Sequence, residues 1–409
     1  MACPVCGSED LEPVLHYPSY PAYIKPIPVE MLDRVPLFPL EIWICGCCAQ
    51  VHQAVPFGQE VLARIYQEVY ASYHSPLQGG IGAGLARDFL RFLEVHADPG
   101  GKHVLEIGCY DGYLLSLLRE HHGCRVMGCD PSPGAAIAAS AGIPVRQDFF
   151  SATLFPDGYD LVVMRGLLEH IPEPVGFLAE AGRVLSGGGL LAIEVPSLTF
   201  SLENGVIGDF FHEHISYFTL ETLGRCLWRG GFVIIAREEA GPYLMVLARR
   251  LVSPGEEVRG CAGREEIPEI KSLFRKFSRL THRMAGELRE ILRDAGGSSI
   301  YLYGGGGHTI GLLARVHGFL RPAGVIDGDP AKKGKYIPGF GIPVFDRGIL
   351  PTLDLERSII IISSQVFQEE IVEELRPFIE KGLRVITLYH NVEYVKPPNS
   401  IRGKDGNSS

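Results

Sequence analysis

Three things are missing from this sequence, and each absence removes a class of function. No apolar run approaches the ~20 residues that a membrane-spanning helix needs, so no membrane partner is expected. No Lys/Arg-dense run is present either, and the 409-residue chain carries a net charge of −10 with a pI of about 5.8. A protein whose main task is gripping nucleic acid carries a basic face. No nucleic-acid partner is therefore expected, and an anionic metabolite would have to be met by a local pocket. The opening MACPVCGSED lacks a charged leader followed by an apolar core, which predicts no secretory signal and a cytoplasmic protein. A hydrophobic content of 46% and a charged content of 21% are those of an ordinary globular chain. Its length exceeds what one core usually serves, so two or three domains are expected.

What is there begins with cysteine. Ten cysteines without a signal point to a reducing compartment, where clustered cysteines read as metal ligands before disulfides. Cys3-x-x-Cys6 and Cys45-x-x-Cys48 are two thiolate pairs, each able to wrap one side of a tetrahedral ion,. Cys47, inside the second pair, reads as a spare. Both pairs lie in residues 1–75, a Pro- and Tyr-rich stretch short of helical periodicity. A bound Zn²⁺ would hold together a segment with little core of its own; the alternative is a set of lone reduced thiols. A catalytic zinc is not expected, because four thiolates leave no open position.

A helical pattern runs from Gly79 to Val95 and breaks at Asp98-Pro99-Gly100-Gly101. A strand, His103–Ile107, follows. Helices are then expected at Tyr113–His121, Pro133–Ala141 and Val175–Leu185, alternating with strands at Arg125–Cys129, Leu161–Met164 and Leu190–Val195. That alternation predicts βαβ units on a parallel sheet. Within Glu265–Ala295, the apolar residues Ile270, Leu273, Phe274, Phe277, Leu280, Met284, Leu288 and Ile291 have the spacing of an amphipathic helix,. It reads as a helix joining two domains, with an exposed coiled-coil partner as the alternative. The rhythm then restarts: strand Ser299–Tyr303, turn Gly304–Gly307, helix Thr309–Val316, strand Ala323–Ile326, strand Ser358–Ile362, helix Gln368–Glu380, strand Arg384–Tyr389. Two βαβ domains with the same opening suggest a remote internal duplication.

The segment Val104-Leu105-Glu106-Ile107-Gly108-Cys109-Tyr110-Asp111-Gly112 runs a strand into a tight turn from which a helix leaves. Gly108 and Gly112 let the backbone come close to a ligand, and ligands of such sheets sit beyond the carboxyl ends of the strands. The next strand ends at Asp130, which can accept both hydroxyls of a ribose. Asp148, after the third strand, can meet an adenine amino group. A nicotinamide-binding domain would also place an acid at this distance. Three features favour S-adenosylmethionine (SAM): Glu106 stands ahead of Gly108, the turn is not GxGxxG, and later stretches match. Those stretches, Leu168–Pro174 and Val184–Leu190, resemble the later motifs of class I methyltransferases. Glu169-His170 reads as orienting the loop after the fourth strand rather than as catalytic.

Taken together, the chain resembles the zinc-containing sugar C-methyltransferases along nearly its whole length. Glu106-Ile107-Gly108-Cys109-Tyr110-Asp111-Gly112 is similar to that family's E-I-G-S-N-D-G. Phe211-His212-Glu213-His214-Ile215-Ser216-Tyr217-Phe218-Thr219 is similar to its Y-x-E-H-x-x-x-F-S. The stretch from Asp327 to Gly339 is similar to its D-x-x-x-x-K-x-G-x-x-x-P-G. The resemblance implies an α/β chain with three domains, which the amphipathic helix and the polar tail extend to five parts. These are a zinc-binding domain at 1–75, a class I SAM-binding domain at 76–250, a linker helix region at 251–298, a second Rossmann-like domain at 299–395, and a disordered tail at 396–409.

It also implies the chemistry: carbon methylation next to the ketone of a nucleotide-linked sugar. His214 would remove the alpha proton and Glu213 would support it; an imidazole, titrating near neutrality, suits that task. The enolate would attack the SAM methyl group in line, helped by orientation. SAM would be held by Glu106, Gly108, Gly112, Asp130 and Asp148, and zinc by Cys3, Cys6, Cys45 and Cys48. The acceptor would meet Tyr73, near Tyr70 and His74, and the glycine turn, with Gly306, His308 and Thr309 as anion donors at a helix N-terminus. Two departures stand out. The family's motif tyrosine is Phe211 here, and the turn Tyr303–Thr309 lacks the family's Ala-rich, Lys-Gly-Asn form. Both leave room for another sugar, carrier or acceptor. The competing readings are an O- or N-methyltransferase, a zinc-bearing RNA or protein methyltransferase, and a non-catalytic homologue.

Overall fold

The computed structural model describes residues 1–54, 58, 81–155, 158–251, 263–365, 367–389 and 391–396. Tyr70, Tyr73 and His74 lie outside the described residues. The chain divides into two compact units. The first comprises Met1–His16, Pro39–Ser201 and His212–Phe274; the second comprises Tyr17–Phe38, Leu202–Phe211 and Arg275–Ser409. The cysteine-bearing segment thus groups with the central βαβ region. The reason is burial: Cys3, Val5, Cys45 and Cys48 belong to the same apolar cluster as Phe218, Leu223 and Leu227.

The first unit is built on a seven-stranded sheet. Its strands are β4 (His103–Ile107), β5 (Arg125–Cys129), β6 (Val145–Arg146), β7 (Tyr159–Arg165), β8 (Leu185–Pro196), β10 (Phe232–Ala240) and β11 (Tyr243–Arg250). The order is β10-β11-β8-β7-β4-β5-β6, with β11 antiparallel to both its neighbours. One face packs under helices α1 (Ile81–His96) and α2 (Tyr113–His122), through Phe89, Phe92, Leu93, Leu114, Leu115 and Leu118. Helix α2 ends on Gly123 in the left-handed conformation, which returns its N–H to Arg119 and Leu118,. The other face holds Leu105, Ile107, Val162 and Met164 against α4 (Pro174–Arg183) and α6 (Leu220–Arg229).

Strand order reverses between β4 and β7. From β4 the chain proceeds to β5 and β6 on one side, and from β7 to β8 on the other. The crevice above this switch point is where open α/β sheets bind ligands. No sequence pattern announces the β10–β11 hairpin, nor the strands among the cysteines: β1 (Leu11–Pro21), β2 (Leu37–Cys45) and β3 (Val51–Gln53). β3 pairs antiparallel with β2 on one side and with β9 (Ser216–Tyr217) on the other.

The second unit carries its own seven-stranded sheet, in which β14 (Tyr336–Ile337), β15 (Ile342–Phe345), β17 (Arg384–Thr387) and β18 (Glu393–Tyr394) flank three central strands, β12 (Ser299–Tyr303), β13 (Gly324–Ile326) and β16 (Ser358–Ile362). The order is β14-β15-β13-β12-β16-β17-β18. β12 lies between β13 and β16, all parallel, so its switch point falls beside the turn after β12. Helix α7 (Ile267–Arg293) is one unbroken helix, as its periodicity predicts. Among the described residues, no helix is long and apolar enough to cross a membrane.

Candidate active site

The cofactor turn is shaped by three residues with positive φ. β4 delivers Gly108 at φ +79, and Tyr110 at φ +46 precedes Gly112 at φ +72, the N-cap of α2. Tyr110 therefore sits in a region where L-residues are strained. Two contacts hold it there. Its N–H donates to Asp130 Oδ2 at 2.8 Å, and its ring covers Gly134, where an added Cβ would meet Cε2 at 2.6 Å. The two glycines serve different ends. A Cβ on Gly108 would touch Leu167 at 3.4 Å, in the loop across the switch point. One on Gly112 would press into Ala138 and Ile143 at 3.1 and 3.2 Å, so Gly112 is needed for helix packing.

Asp130 is a buried organiser. Its Oδ2 takes the Tyr110 N–H and its Oδ1 takes the Ser132 N–H at 2.8 Å, which fixes the carboxylate at the end of β5. Each oxygen keeps a lone pair for a hydroxyl. Asp148 is exposed beyond β6, and its Oδ1 accepts the Phe149 N–H at 2.8 Å.

Glu106 is a strongly perturbed group of this site. Burial pushes its carboxyl up to about 8, Arg165 pulls it down, and Asp111, Asp130 and Glu194 add to the rise. Arg165 is itself paired with Glu194 at 2.8 Å, and Glu106 Oε2 has no partner among the described residues. Three acids and one cation thus act on a buried carboxyl. Such a pocket suits a cationic ligand, and SAM carries both an ammonium and a sulfonium.

On the other side of the switch point, β7 ends at Arg165 and the chain turns through Gly166 into a short 3-10 turn, Leu168–His170. One ligand-capable atom each from Glu169, His170 and His214 lies within 4.8 Å of the others. The His170 and His214 rings meet edge to face, centroids 4.9 Å apart. His170 Nδ1 is 2.8 Å from the Glu213 carbonyl, which can only accept, so Nδ1 carries the hydrogen,. Nε2 then faces Glu169 Oε1 at 3.9 Å. The Ile215 N–H donates to the Glu169 carbonyl at 2.8 Å, tying the two Glu-His segments together. Glu213 and His214 are both buried. Two imidazoles beside a carboxylate can take up and hold a proton. His170, read from sequence as a loop support, stands beside His214.

The cysteines converge. Cys3 Sγ and Cys48 Sγ are 3.6 Å apart, Cys6 Sγ and Cys45 Sγ 3.5 Å, and all four sulfurs lie within 4.8 Å of one another. Sulfurs bound at ~2.3 Å around a tetrahedral zinc would be about 3.8 Å apart, so the donor set fits that ion. Bonds from its neighbours, Cys3 first, pull the Cys6 thiol well below its ordinary value, and crowding by the same sulfurs, again led by Cys3, pushes Cys48 far up. Several thiolates cannot coexist here without a cation. Cys47 contributes its backbone, whose N–H points at Cys45 Sγ at 3.4 Å.

In the second unit, Gly304 adopts φ +109 and the Gly305 N–H donates to Asp327 Oδ2 at 2.6 Å. Thr309 is fully buried; its hydroxyl is bonded to the Gly304 carbonyl and lies 2.6 Å from Ser363 Oγ. His308 Nδ1 lies 3.4 Å from Tyr389 Oη, and burial lowers the imidazole's pKa. Of the three acceptor contacts expected in this turn, a side chain added at Gly306 would meet open space. His308 and Thr309 brace the turn from behind.

These features define a class: the chain is a SAM-dependent methyltransferase. Residues 79–237 match the family model described as a methyltransferase domain, and residues 243–389 match the one described as a C-methyltransferase C-terminal domain. The chain as a whole is similar to a C-methyltransferase. It is 27% identical over 414 residues to the C-methyltransferase NovU of Streptomyces niveus, across 94% of each protein. The ubiquinone biosynthesis O-methyltransferase of Burkholderia vietnamiensis is 32% identical over 109 residues, 24% of this chain and 47% of that protein. Among solved structures, 1,6-didemethyltoxoflavin-N1-methyltransferase of Burkholderia thailandensis aligns with a TM-score of 0.38 at 21% identity. That alignment covers 49% of this chain and 96% of that one.

Proposed function

We propose that this protein methylates a carbon next to the ketone of a nucleotide-linked sugar, using SAM and carrying a structural zinc. The observation that carries the reading is the buried cluster of Glu169, His170 and His214 across the switch point from the cofactor turn. An O- or N-methyl acceptor already holds a lone pair, whereas a carbon acid needs a base to create one. His214 takes the alpha proton. Its ring is backed edge-on by His170, and Glu213 sits beside it in the same loop. Bound SAM supplies the methyl group as an electrophile, with Asp130 on the ribose hydroxyls, Asp148 toward the adenine and Glu106 at the charged end. Within the second unit, the Gly304–Gly307 turn is an anion-binding contact, with Gly306 at its open side. Cys3, Cys6, Cys45 and Cys48 bind the zinc, whose role is to hold the cysteine loops in place. Tyr73 remains an acceptor contact in this reading, and a cytoplasmic location accords with the reduced cysteines.

The test is a mass-spectrometric screen of nucleotide-linked keto sugars with SAM. A product heavier by CH₂, with the added carbon bonded to carbon, is expected. Methylation of hydroxyl groups alone would overturn the reading.

A further inference from the structure

The loop that carries Glu213 and His214 has no ladder of its own until Ser216, yet its carbonyls are all held. The Glu213 carbonyl takes the Nδ1–H of His170. The carbonyls on either side, those of His212 and His214, face one side chain, the buried amide of Gln53, with His214 O at 2.8 Å. Carbonyl oxygens only accept, so the amide must present its NH₂ group: two N–H bonds for two carbonyls. The Gln53 backbone adds an N–H to the Ile215 carbonyl at 2.9 Å. Three successive carbonyls of the Glu213 segment are thus pinned from two directions by side-chain donors.

Gln53 lies at the end of β3, five residues beyond Cys48. Between them, Gln50 donates to the carbonyls of Tyr217 and Val51 at 3.1 and 2.8 Å, and Val51 pairs with Tyr217. The Arg225 guanidinium bonds the Cys48 carbonyl at 3.1 Å and grips Glu266, anchoring the knuckle to α6. The strand leaving the cysteine knuckle is therefore a rigid arm whose tip holds the catalytic loop.

We infer that Gln53 is a positioning residue for His214: it acts through the loop backbone and does not touch the acceptor. This rests on the reading of His214 as the base. Misplacing a reacting group by about 1 Å costs up to ~100-fold in rate, and Gln53 sets the height and tilt of the peptide from which the His214 side chain leaves.

Gln53→Leu fills the space without donors. Gln53→Glu keeps the shape, offers one donor when protonated and none when ionised. Both are assayed on a nucleotide-linked keto sugar that the wild type methylates, with rates normalised to the fraction competent to bind SAM by calorimetry. Gln53→Leu should lower kcat by roughly 10–100-fold, with SAM affinity and zinc content unchanged. Gln53→Glu should gain an alkaline falling limb that the wild type lacks, because the new carboxyl loses its one donor on ionising. The titratable neighbours, His52 on the same strand and His170, His212, Glu213 and His214 facing it, are common to both proteins, so the extra limb belongs to position 53. Normalised kcat within twofold of wild type in both variants, or a Gln53→Glu profile parallel to wild type, would overturn the inference. His214→Ala in the same assay separates the two ideas. If it retains the wild-type rate, the base reading falls. If it is inactive while the Gln53 variants are normal, only the role of Gln53 falls.

Discussion

SAM binding should release a proton, and Glu106 should be its source. With its carboxyl raised to about 8, Glu106 is roughly 90% protonated at pH 7 in the free enzyme,. A nearby positive charge lowers a carboxyl by about 1–3 units. If SAM brings Glu106 to about 6, binding at pH 7 releases ~0.8 proton, and affinity rises roughly 25-fold between pH 6 and pH 8. The free protein obeys the opposite trend. A carboxyl whose folded value lies above its unfolded value contributes stability below pH ~4.5 that is lost as pH rises toward 8,. Saturating SAM should offset that loss. Calorimetry at pH 7 in buffers of different ionisation enthalpy counts the proton directly, and Glu106→Gln should abolish both its release and the pH dependence. Equal proton release in Glu106→Gln, or none in the wild type, would refute this account of the charge cluster.

Three further outcomes follow from the geometry. Cys48→Ser should lose zinc while Cys47→Ser keeps it, because the four converging sulfurs are those of Cys3, Cys6, Cys45 and Cys48, and Cys47 turns its backbone N–H to the Cys45 sulfur; equal metal content would refute the ligand set. Gly112→Ala should cost about 1–2 kcal/mol from its left-handed backbone alone, read as a lower urea midpoint, and its crowding of Ala138 and Ile143 adds to that. Gly306→Val meets open space. It should leave the urea midpoint and SAM affinity unchanged while raising the acceptor KM, and normal acceptor kinetics would return this turn to packing.

How much could be read from the sequence depended on burial. Strands β4, β5, β12 and β16 emerge residue for residue, because parallel strands buried on both faces spell continuous apolar runs,. β1 and β2 were hidden by Pro13, Pro18, Pro21 and Pro39, residues that argue against strands,. The β10–β11 hairpin was hidden by its charged half, where the edge strand reads Ala236-Arg237-Glu238-Glu239-Ala240. β8 begins at Leu185, five residues before the sequence suggests, because Gly187-Gly188-Gly189 reads as a turn. In the site, the cofactor turn is contiguous and was legible. Glu169-His170 repeats the Glu213-His214 dipeptide, a signal that was available, but their approach across more than forty residues belongs to the fold. Gln53 carries no motif at all; only the pairing of β3 with β9 reveals it.

The central claim, carbon acid chemistry at His214, is tested most directly by proton exchange. The keto-sugar acceptor is incubated with enzyme in D₂O in the absence of methyl transfer, and deuterium at the alpha carbon is followed by NMR. The wild type should exchange that proton and His214→Ala should slow exchange by ~10²–10⁴-fold, the usual span for general acid–base catalysis, while still binding SAM. Equal exchange in both proteins, or methylation by His214→Ala at the wild-type rate, would contradict the account.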